Sequence, residues 1–300
     1  MFRLGVPSLV FMLLLDPLTN VIRDLGTGDF PGWASLLRRY PGYLASGSFL
    51  GASGPLWFAV ALLVFSLIYA VVRLIASAIR GSGRFEVVSA EVELSPKAVH
   101  RTAVVLMAVI AAGSFLVRQV QPFGTSWYNM QLCFFPQYIV LFVVGLWAGR
   151  RGFLRALPRK AGMMWLRLAF IVGVPTWFLL FAFGGALSGN QDAFGGGLHW
   201  QAGAYAAWEA FFAVSVSIGL LTLYREKANI RNQGTGLLAD TSFGIYVFHS
   251  PILVAVCVMI RSVALYPLAK AFVAATLGFG LSLAFAWALG KVPGLKRVFA

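Results

Sequence analysis

The sequence predicts an all-α fold, a polytopic membrane bundle of about eight transmembrane helices, and two observations lead to it. Of the 300 residues, 59% are hydrophobic and 11% are charged, whereas a soluble domain carries roughly a quarter charged residues. The apolar residues also gather in runs of roughly 20, the length a helix needs to cross a hydrocarbon core of about 30 Å. The mean hydropathy of +0.81 agrees with both observations.

Eight apolar runs follow one another along the chain, and together they predict a single domain over residues 1–300. They lie near residues 4–22, 55–76, 102–120, 131–149, 166–184, 204–224, 242–260 and 268–289. The first run is predicted to be retained rather than cleaved as a signal peptide, because Asp16-Pro17-Leu18-Thr19-Asn20 is a poor cleavage region. Cys133 and Cys257 both lie inside apolar runs, which indicates neither a disulfide framework nor a metal site.

The basic residues behind the net charge of +14 are unevenly placed along the chain, and their placement indicates the membrane topology. One side of the membrane is predicted to hold 18 of the 24 lysine and arginine residues, namely Arg3, those of alternate connections such as 150–167 and 225–231, and those of 291–297. By the positive-inside rule this side is cytoplasmic, so both termini are predicted to be cytoplasmic and residues 185–200, which lack Lys and Arg, to be extracytoplasmic. We therefore predict a multi-pass protein of a bacterial inner (plasma) membrane and no nucleic-acid partner.

Two outer connections differ in character. Residues 23–54 combine aromatic side chains with a pair of arginines, at Trp33, Arg38, Arg39, Tyr40 and Tyr43. Such a segment can hold a sugar or a lipid head group, or it can rest at the membrane surface. Residues 185–200 are rich in glycine and are predicted to be flexible.

Two charges of opposite sign lie within predicted spans. Arg118 is near the outer end of the third span, where its side chain can either snorkel to the surface or pair with an acid. Glu209 is the acidic residue of the sixth span, about two turns from its outer end. Since intramembrane charges are functional candidates and need partners, Arg118 is a possible partner for Glu209.

The fourth span places hydrogen-bonding groups near its outer end. Gln131 and Tyr138 share one predicted helical face, Gln137 adds an amide, and Pro136 allows a bend. Nearer the other end of this span, Gly145 and Gly149 are small residues four positions apart. They are expected to make a helix-packing contact.

The seventh span carries a histidine and a proline. The apolar run that opens near Asp240 puts His249 and Pro251 about two turns inside a predicted helix. A buried imidazole there requires a partner, and the proline frees a backbone carbonyl. His249 is therefore a functional candidate, although it can equally serve helix packing.

Five segments, in this order and spacing, resemble one known family. They are Gly54-Pro55-Leu56-Trp57-Phe58, Ser114–Arg118 with residues 122–126, residues 131–141, Trp208-Glu209, and the stretch from Phe243 to Pro251. Over residues 3 to 297 they resemble the acyltransferase 3 family, the bacterial integral-membrane O-acyltransferases that modify carbohydrates. The branch is similar to proteins that succinylate periplasmic glucans.

The resemblance implies a bundle of ten membrane helices that takes an acyl group from cytoplasmic acyl-CoA and delivers it to a hydroxyl of an extracytoplasmic saccharide. It implies no bound cofactor, since acyl-CoA is the donor substrate. Arg3 looks like the second arginine of a pair that the family places with the CoA phosphates or the acyl group. The candidate catalytic residues are Arg3, Arg118, Glu209 and His249, and the candidate substrate-binding residues are Trp57, Gln137, Tyr138 and Tyr246.

This chain departs from the family's pattern at its amino end. The family's leading candidate for the catalytic base, a histidine on its first helix, and the other arginine of the pair have no counterpart in these 300 residues. We therefore expect either two further apolar spans encoded upstream of Met1, the first of them carrying a histidine, or a chain that is catalytically inactive.

Two other classes of protein remain open. Prolines at 136, 175 and 251 within spans, together with buried polar groups, would suit the broken helices of a transporter or flippase. The absence of an obvious two-fold repeat argues against that class. A non-catalytic remnant that acts only by assembling with partners is the third alternative.

Overall fold

The computed structural model describes residues 2–80, 94–228 and 232–299. Within these ranges the protein consists of helices and turns without a β-strand, and eight helices are long and apolar enough to cross a membrane, which confirms the predicted all-α bundle. They are α1 (Phe2–Thr27), α2 (Gly54–Ile79), α3 (Pro96–Arg118), α4 (Leu132–Arg150), α5 (Arg159–Ser188), α6 (Trp200–Lys227), α7 (Gln233–Met259) and α8 (Pro267–Leu289).

The chain divides into two compact units. The first contains Met1–Ile79, Tyr128–Met130 and Arg231–Ala300, and the second contains Arg80–Trp127 and Gln131–Ile230. The first unit therefore includes α1, α2, α7 and α8, and the second unit includes α3 to α6.

In the first unit, α7 packs along α8 and against the second half of α1. Glycine allows the close approach of these helices, since a Cβ atom added at Gly26 would lie 2.5 Å from Val258 and one at Gly244 would lie 2.9 Å from Ala286. The buried apolar core of this unit consists of Phe11, Leu56, Ala59, Val247, Phe248, Val298 and Phe299.

A shorter helix, Trp33–Ala45, lies in the connection between α1 and α2. Two tyrosine hydroxyls tie it to α1: Tyr40 donates a hydrogen bond to the carbonyl of Leu13 and Tyr43 donates one to the carbonyl of Met12, each at 2.7 Å. The aromatic and basic segment that the sequence shows in this connection is thus helical and held against the bundle.

In the second unit, α3 and α5 both pack on α6. Small residues again bring backbones together, because a Cβ atom at Gly162 would lie 2.0 Å from Thr222 and one at Gly219 would lie 2.5 Å from Leu166. The buried core of this unit consists of Ala103, Ile110, Trp165, Ala210 and Val214.

The prediction that the two small residues of α4 make a helix-packing contact is wrong. A Cβ atom at Gly145 would meet no atom within 4 Å, and one at Gly149 would meet Leu154 at 3.9 Å, a residue that follows it in the chain. Pro136 is the second residue of the α-helical part of α4, where a missing amide costs nothing. Gln131 precedes α4 and does not share a helical face with Tyr138.

Two helices begin earlier than their apolar runs suggest. Helix α5 starts at Arg159 and α7 at Gln233. The start of α7 is a capping box, in which the Asn232 side chain accepts from the amide of Thr235 at 2.8 Å and the Thr235 hydroxyl accepts from the amide of Asn232 at 2.9 Å. The polar first turns of both helices were expected to be loop; at α7 the capping box makes them helical.

Residues 185–200 are more ordered than the prediction of a flexible loop allows, so that prediction is wrong. They contain the end of α5 and a short helix, Asp192–Gly195. Phe194 of this helix is buried, and its ring stacks on that of Phe181 at 4.7 Å. The carbonyl of Gly195 accepts a hydrogen bond from the amide of Phe123 at 3.0 Å, which ties the segment to the end of α3.

Candidate functional site

Arg118 and Glu209 form the central feature of the second unit. Arg118 is the last residue of α3, its side chain is 0% exposed, and its Nη2 donates to Glu209 Oε2. The guanidinium carbon lies 4.3 Å from the centre of the Phe123 ring, 5.4 Å from that of Tyr205 and 5.7 Å from that of Phe134. Of the two possibilities for Arg118, the structure therefore shows the ion pair with Glu209, and the alternative that Arg118 snorkels to the surface is wrong.

The local chain path encloses this guanidinium. The rings of Phe123 and Phe134 stack at 5.3 Å, and Phe123 is held by its hydrogen bond to residue 195. A Cβ atom at Gly196 would lie 2.5 Å from the carbonyl oxygen of Arg118, so this position requires glycine. The charge also sits at the carboxyl end of α3, where the helix dipole stabilises a cation.

Several polar atoms near this pair are buried without a hydrogen-bond partner among the described residues. They are Arg118 Nε and Nη1, Ser114 Oγ and Gln137 Oε1. Buried polar groups are normally paired, and those that are not often mark a place where water, a ligand or a rearrangement completes the bonding. The site therefore has unused hydrogen-bonding capacity on both a cation and an amide.

An open cleft of about 300 Å³ lies beside the ion pair. It is lined by Gln137, Trp208, Glu209, Phe212, Ala213, Val216 and Ser217. The Glu209 side chain is 13% exposed whereas that of Arg118 is closed to solvent. Glu209 is thus the charged group that a molecule in the cleft can touch, and Arg118 acts on such a molecule only through Glu209 unless the site rearranges.

One wall of the cleft is a stack of aromatic rings on α6. The Trp208 ring stacks on Tyr205 at 5.6 Å and on Phe212 at 5.3 Å. Its indole Nε1 donates to the carbonyl of Gly173 in α5 at 2.7 Å, which fixes the orientation of the ring. The cleft therefore combines a rigid aromatic wall with a carboxylate and an amide.

The two candidate residues of α4 are placed differently. Gln137 lines the cleft directly. Tyr138 is half-buried, interacts electrostatically with Glu209, and contacts the ring of Phe135 at 5.8 Å. The structure therefore brings four predicted site residues together in the second unit: Arg118, Glu209, Gln137 and Tyr138.

The remaining candidates belong to the first unit. His249 lies about four turns from the start of α7 rather than two, because that helix begins at Gln233. Its Nδ1 is 2.9 Å from the carbonyl oxygen of Tyr246, and the two rings are 6.3 Å apart. The Tyr246 hydroxyl donates to the carbonyl of Pro55, two residues before Trp57. Arg3 is exposed in the first turn of α1.

Sequence reasoning missed the aromatic enclosure of Arg118. Tyr205 is four residues before Glu209, so helical periodicity alone could have placed it on the same face. Phe123 carries no such signal, because it lies in a connection whose path depends on the packing of residues 185–200. Among the described residues, no three His, Cys, Asp or Glu side chains come together in a way that could hold a metal ion.

Comparison with known proteins bears on the whole chain. Neither the curated proteins nor the solved structures gave a match. The family model described as an acyltransferase domain, Acyl_transf_3, matches residues 1–291. That span covers all eight membrane helices and both groups of candidate residues. The chain therefore belongs to the acyltransferase 3 family and is a multi-pass membrane acyltransferase.

Proposed function

We propose that this acyltransferase moves an acyl group from acyl-CoA on the cytoplasmic side to a hydroxyl of an extracytoplasmic saccharide. The observation that supports the proposal is the exposed edge of Glu209 in the cleft of the second unit, backed by a buried arginine. The distribution of basic residues supports cytoplasmic termini and an inner-membrane location. The resemblance to glucan-succinylating proteins makes succinyl-CoA and a periplasmic glucan the first pair of substrates to test.

Transfer to a hydroxyl requires that the alcohol proton be removed as the new ester bond forms. One carboxylate oxygen of Glu209 is bound by Arg118, which orients the carboxyl group. In the proposal, the other oxygen accepts the hydroxyl proton of the acceptor, the alkoxide oxygen attacks the thioester carbonyl, and CoA leaves as the thiolate. Arg118 acts as a positioning residue because its guanidinium is closed to the cleft.

The lining of the cleft supports a sugar as the acceptor. Trp208 and Phe212 offer a fixed aromatic surface against which the apolar face of a sugar can pack. Gln137 and Glu209 offer hydrogen-bonding groups for sugar hydroxyls at the edge of that face. In the first unit we assign the acyl donor to Arg3, and a contact with substrate to His249, Tyr246 and Trp57.

The experiment is an acyl-transfer assay on membranes that contain the 300-residue chain. Labelled acetyl-CoA, butyryl-CoA and succinyl-CoA are each supplied with envelope glycans, and ester-linked label on the glycan is measured. Chain-dependent label supports the proposal. No label from any donor would overturn it for this chain, and movement of glycan across the membrane without ester formation would favour a transporter.

Substitutions in α6 test the role of Glu209. Glu209→Gln keeps the shape of the side chain but removes the base, so we expect transfer to fall by about 10²- to 10⁴-fold. Glu226→Gln on the same helix is the matched control, because Glu226 forms an exposed pair with its neighbour Arg225. Breaking a buried pair can itself cost about 3–5 kcal/mol, so membrane abundance is measured in parallel. Equal loss of abundance and activity would show a structural role alone.

A further inference from the structure

The position of the Trp33–Ala45 helix along α1 and α2 follows from the contacts of its neighbours. A Cβ atom at Gly5 of α1 would lie 3.6 Å from Leu63 of α2, and one at Gly54 would lie 2.6 Å from Phe11. The two helices are therefore antiparallel, and α2 begins beside residue 11 of α1. By the distribution of basic residues, this end of α2 is its extracytoplasmic end.

The remainder of α1 is consistent with that position. The half that follows Leu15 is amphipathic, because Asp16, Asn20, Arg23 and Asp24 alternate with Leu18, Val21, Ile22 and Leu25. This half extends past the beginning of α2. Tyr40 and Tyr43 bond to carbonyls at positions 13 and 12 of α1. The helix that carries these tyrosines is consequently held beside the extracytoplasmic end of α2.

Three faces run along this helix. The tyrosine face packs on α1. Beside it, helical spacing aligns Trp33, Leu37 and Leu44, which are 63%, 73% and 40% exposed. Arg38 and Arg39 are also exposed and lie away from that apolar face. An exposed apolar face next to a basic face is the pattern of a helix that lies in the plane of a membrane interface.

The charges near the helix leave its arginines available. The helix contains two arginines and no acidic residue. Within the described part of the chain, neither guanidinium takes part in an ion pair or hydrogen bond. The acids of the adjacent half of α1 are engaged locally, since Asp16 accepts from Asn20 and Asp24 pairs with Arg23.

We propose that the Trp33–Ala45 helix is a binding element for acidic phospholipids. Trp33, Leu37 and Leu44 enter the boundary of the acyl chains, and Arg38 and Arg39 bind the phosphate groups of the lipid heads. Arginine suits this task because its planar guanidinium binds phosphate in a bidentate way. The inference is independent of the acyl-transfer reaction.

Fluorescence quenching tests the depth of the helix. The full chain and its Trp33→Phe variant are reconstituted in phosphatidylglycerol–phosphatidylcholine vesicles that carry bromine near the head-group end or near the methyl end of the acyl chains. The chain has nine tryptophans, so the difference between the two proteins isolates Trp33. We expect Trp33 to be quenched by the shallow bromine label. Quenching by aqueous iodide alone, or protection by added oligosaccharide without lipid quenching, would overturn the proposal.

Lipid retention tests the head-group contact. The ratio of phosphatidylglycerol to phosphatidylethanolamine that copurifies is measured for Arg38→Gln and Arg39→Gln, with Arg23→Gln as the control. Loss of about 1 kcal/mol per arginine corresponds to about a fivefold fall in that ratio. Wild-type ratios in both variants, or an equal fall in the control, would overturn the assignment.

Discussion

The two tyrosines that hold the Trp33–Ala45 helix are expected to stabilise α1 through its backbone. A π-helical turn over Phe11–Leu15 makes the amide of Asp16 bond to the carbonyl of Phe11 rather than to that of Met12. One residue further on, Pro17 has no amide to offer the carbonyl of Leu13. Both freed carbonyls are the ones that the tyrosine hydroxyls bind. Replacement of either tyrosine by phenylalanine therefore leaves one carbonyl without a protein partner.

The magnitude follows from the exposure of these groups. An unsatisfied buried carbonyl costs about 1–3 kcal/mol. Tyr40 and Tyr43 are only half-buried, so water can partly replace each lost hydroxyl, and the lower end of that range applies. We expect Tyr40→Phe and Tyr43→Phe each to lower the free energy of unfolding by about 1 kcal/mol. The double variant should lose about 2 kcal/mol if the two bonds act independently.

Reversible unfolding in mixed micelles of dodecyl sulfate and a mild detergent measures these differences. Tyr266→Phe is the matched control, because Tyr266 is 72% exposed at the beginning of α8. The tyrosine variants should unfold at lower dodecyl sulfate than both the wild type and the control. If all three single variants unfold together, the freed carbonyls are satisfied in some other way and the reasoning is refuted.

Three further predictions concern other parts of the chain. A cysteine at Asn190 should react with an impermeant thiol reagent in intact cells and one at Ala156 should not; the reverse pattern would invert the topology. Burial and the nearby Asp16 charge raise the pKa of Tyr43 to about 12. The stability that this hydroxyl contributes should therefore be complete below pH 10 and lost as the pH rises towards 12. A tyrosinate absorbance titration in which Tyr43→Phe changes nothing would contradict this. Gly162→Ala should cost about 1–3 kcal/mol through overpacking, whereas Gly145→Ala, in open space, should cost nothing; equal unfolding of the two would contradict the packing.

Much of the fold could be predicted because membrane helices are strongly constrained. A run of about 20 apolar residues has few options other than to cross a bilayer as a helix. The pairing of Arg118 with Glu209 followed from the same physics, since a lone charge in an apolar span needs a counter-charge. These inferences use only the composition of each segment and the requirements of the medium.

Other features depended on neighbours that no segment reveals. The positions of Gly145 and Gly162 look alike in sequence, yet only Gly162 faces another helix, here at Thr222. Phe123 encloses Arg118 because residues 192–195 fold back and bind its amide, which the glycine-rich composition of that connection did not predict. The early start of α7 was missed because its first turns are polar and capping decides their structure.

The sequence by itself determined the class of the protein, the number of its membrane helices and the need for an acid–base pair within them, because each follows from the free energy of placing one segment in a bilayer. The tertiary structure decided which residues surround that pair. It closed Arg118 off and left Glu209 13% exposed at the cleft. It also tied the Trp33–Ala45 helix to freed carbonyls of α1. Such outcomes depend on contacts between distant segments, and the energy of those contacts is defined only once the helices have packed.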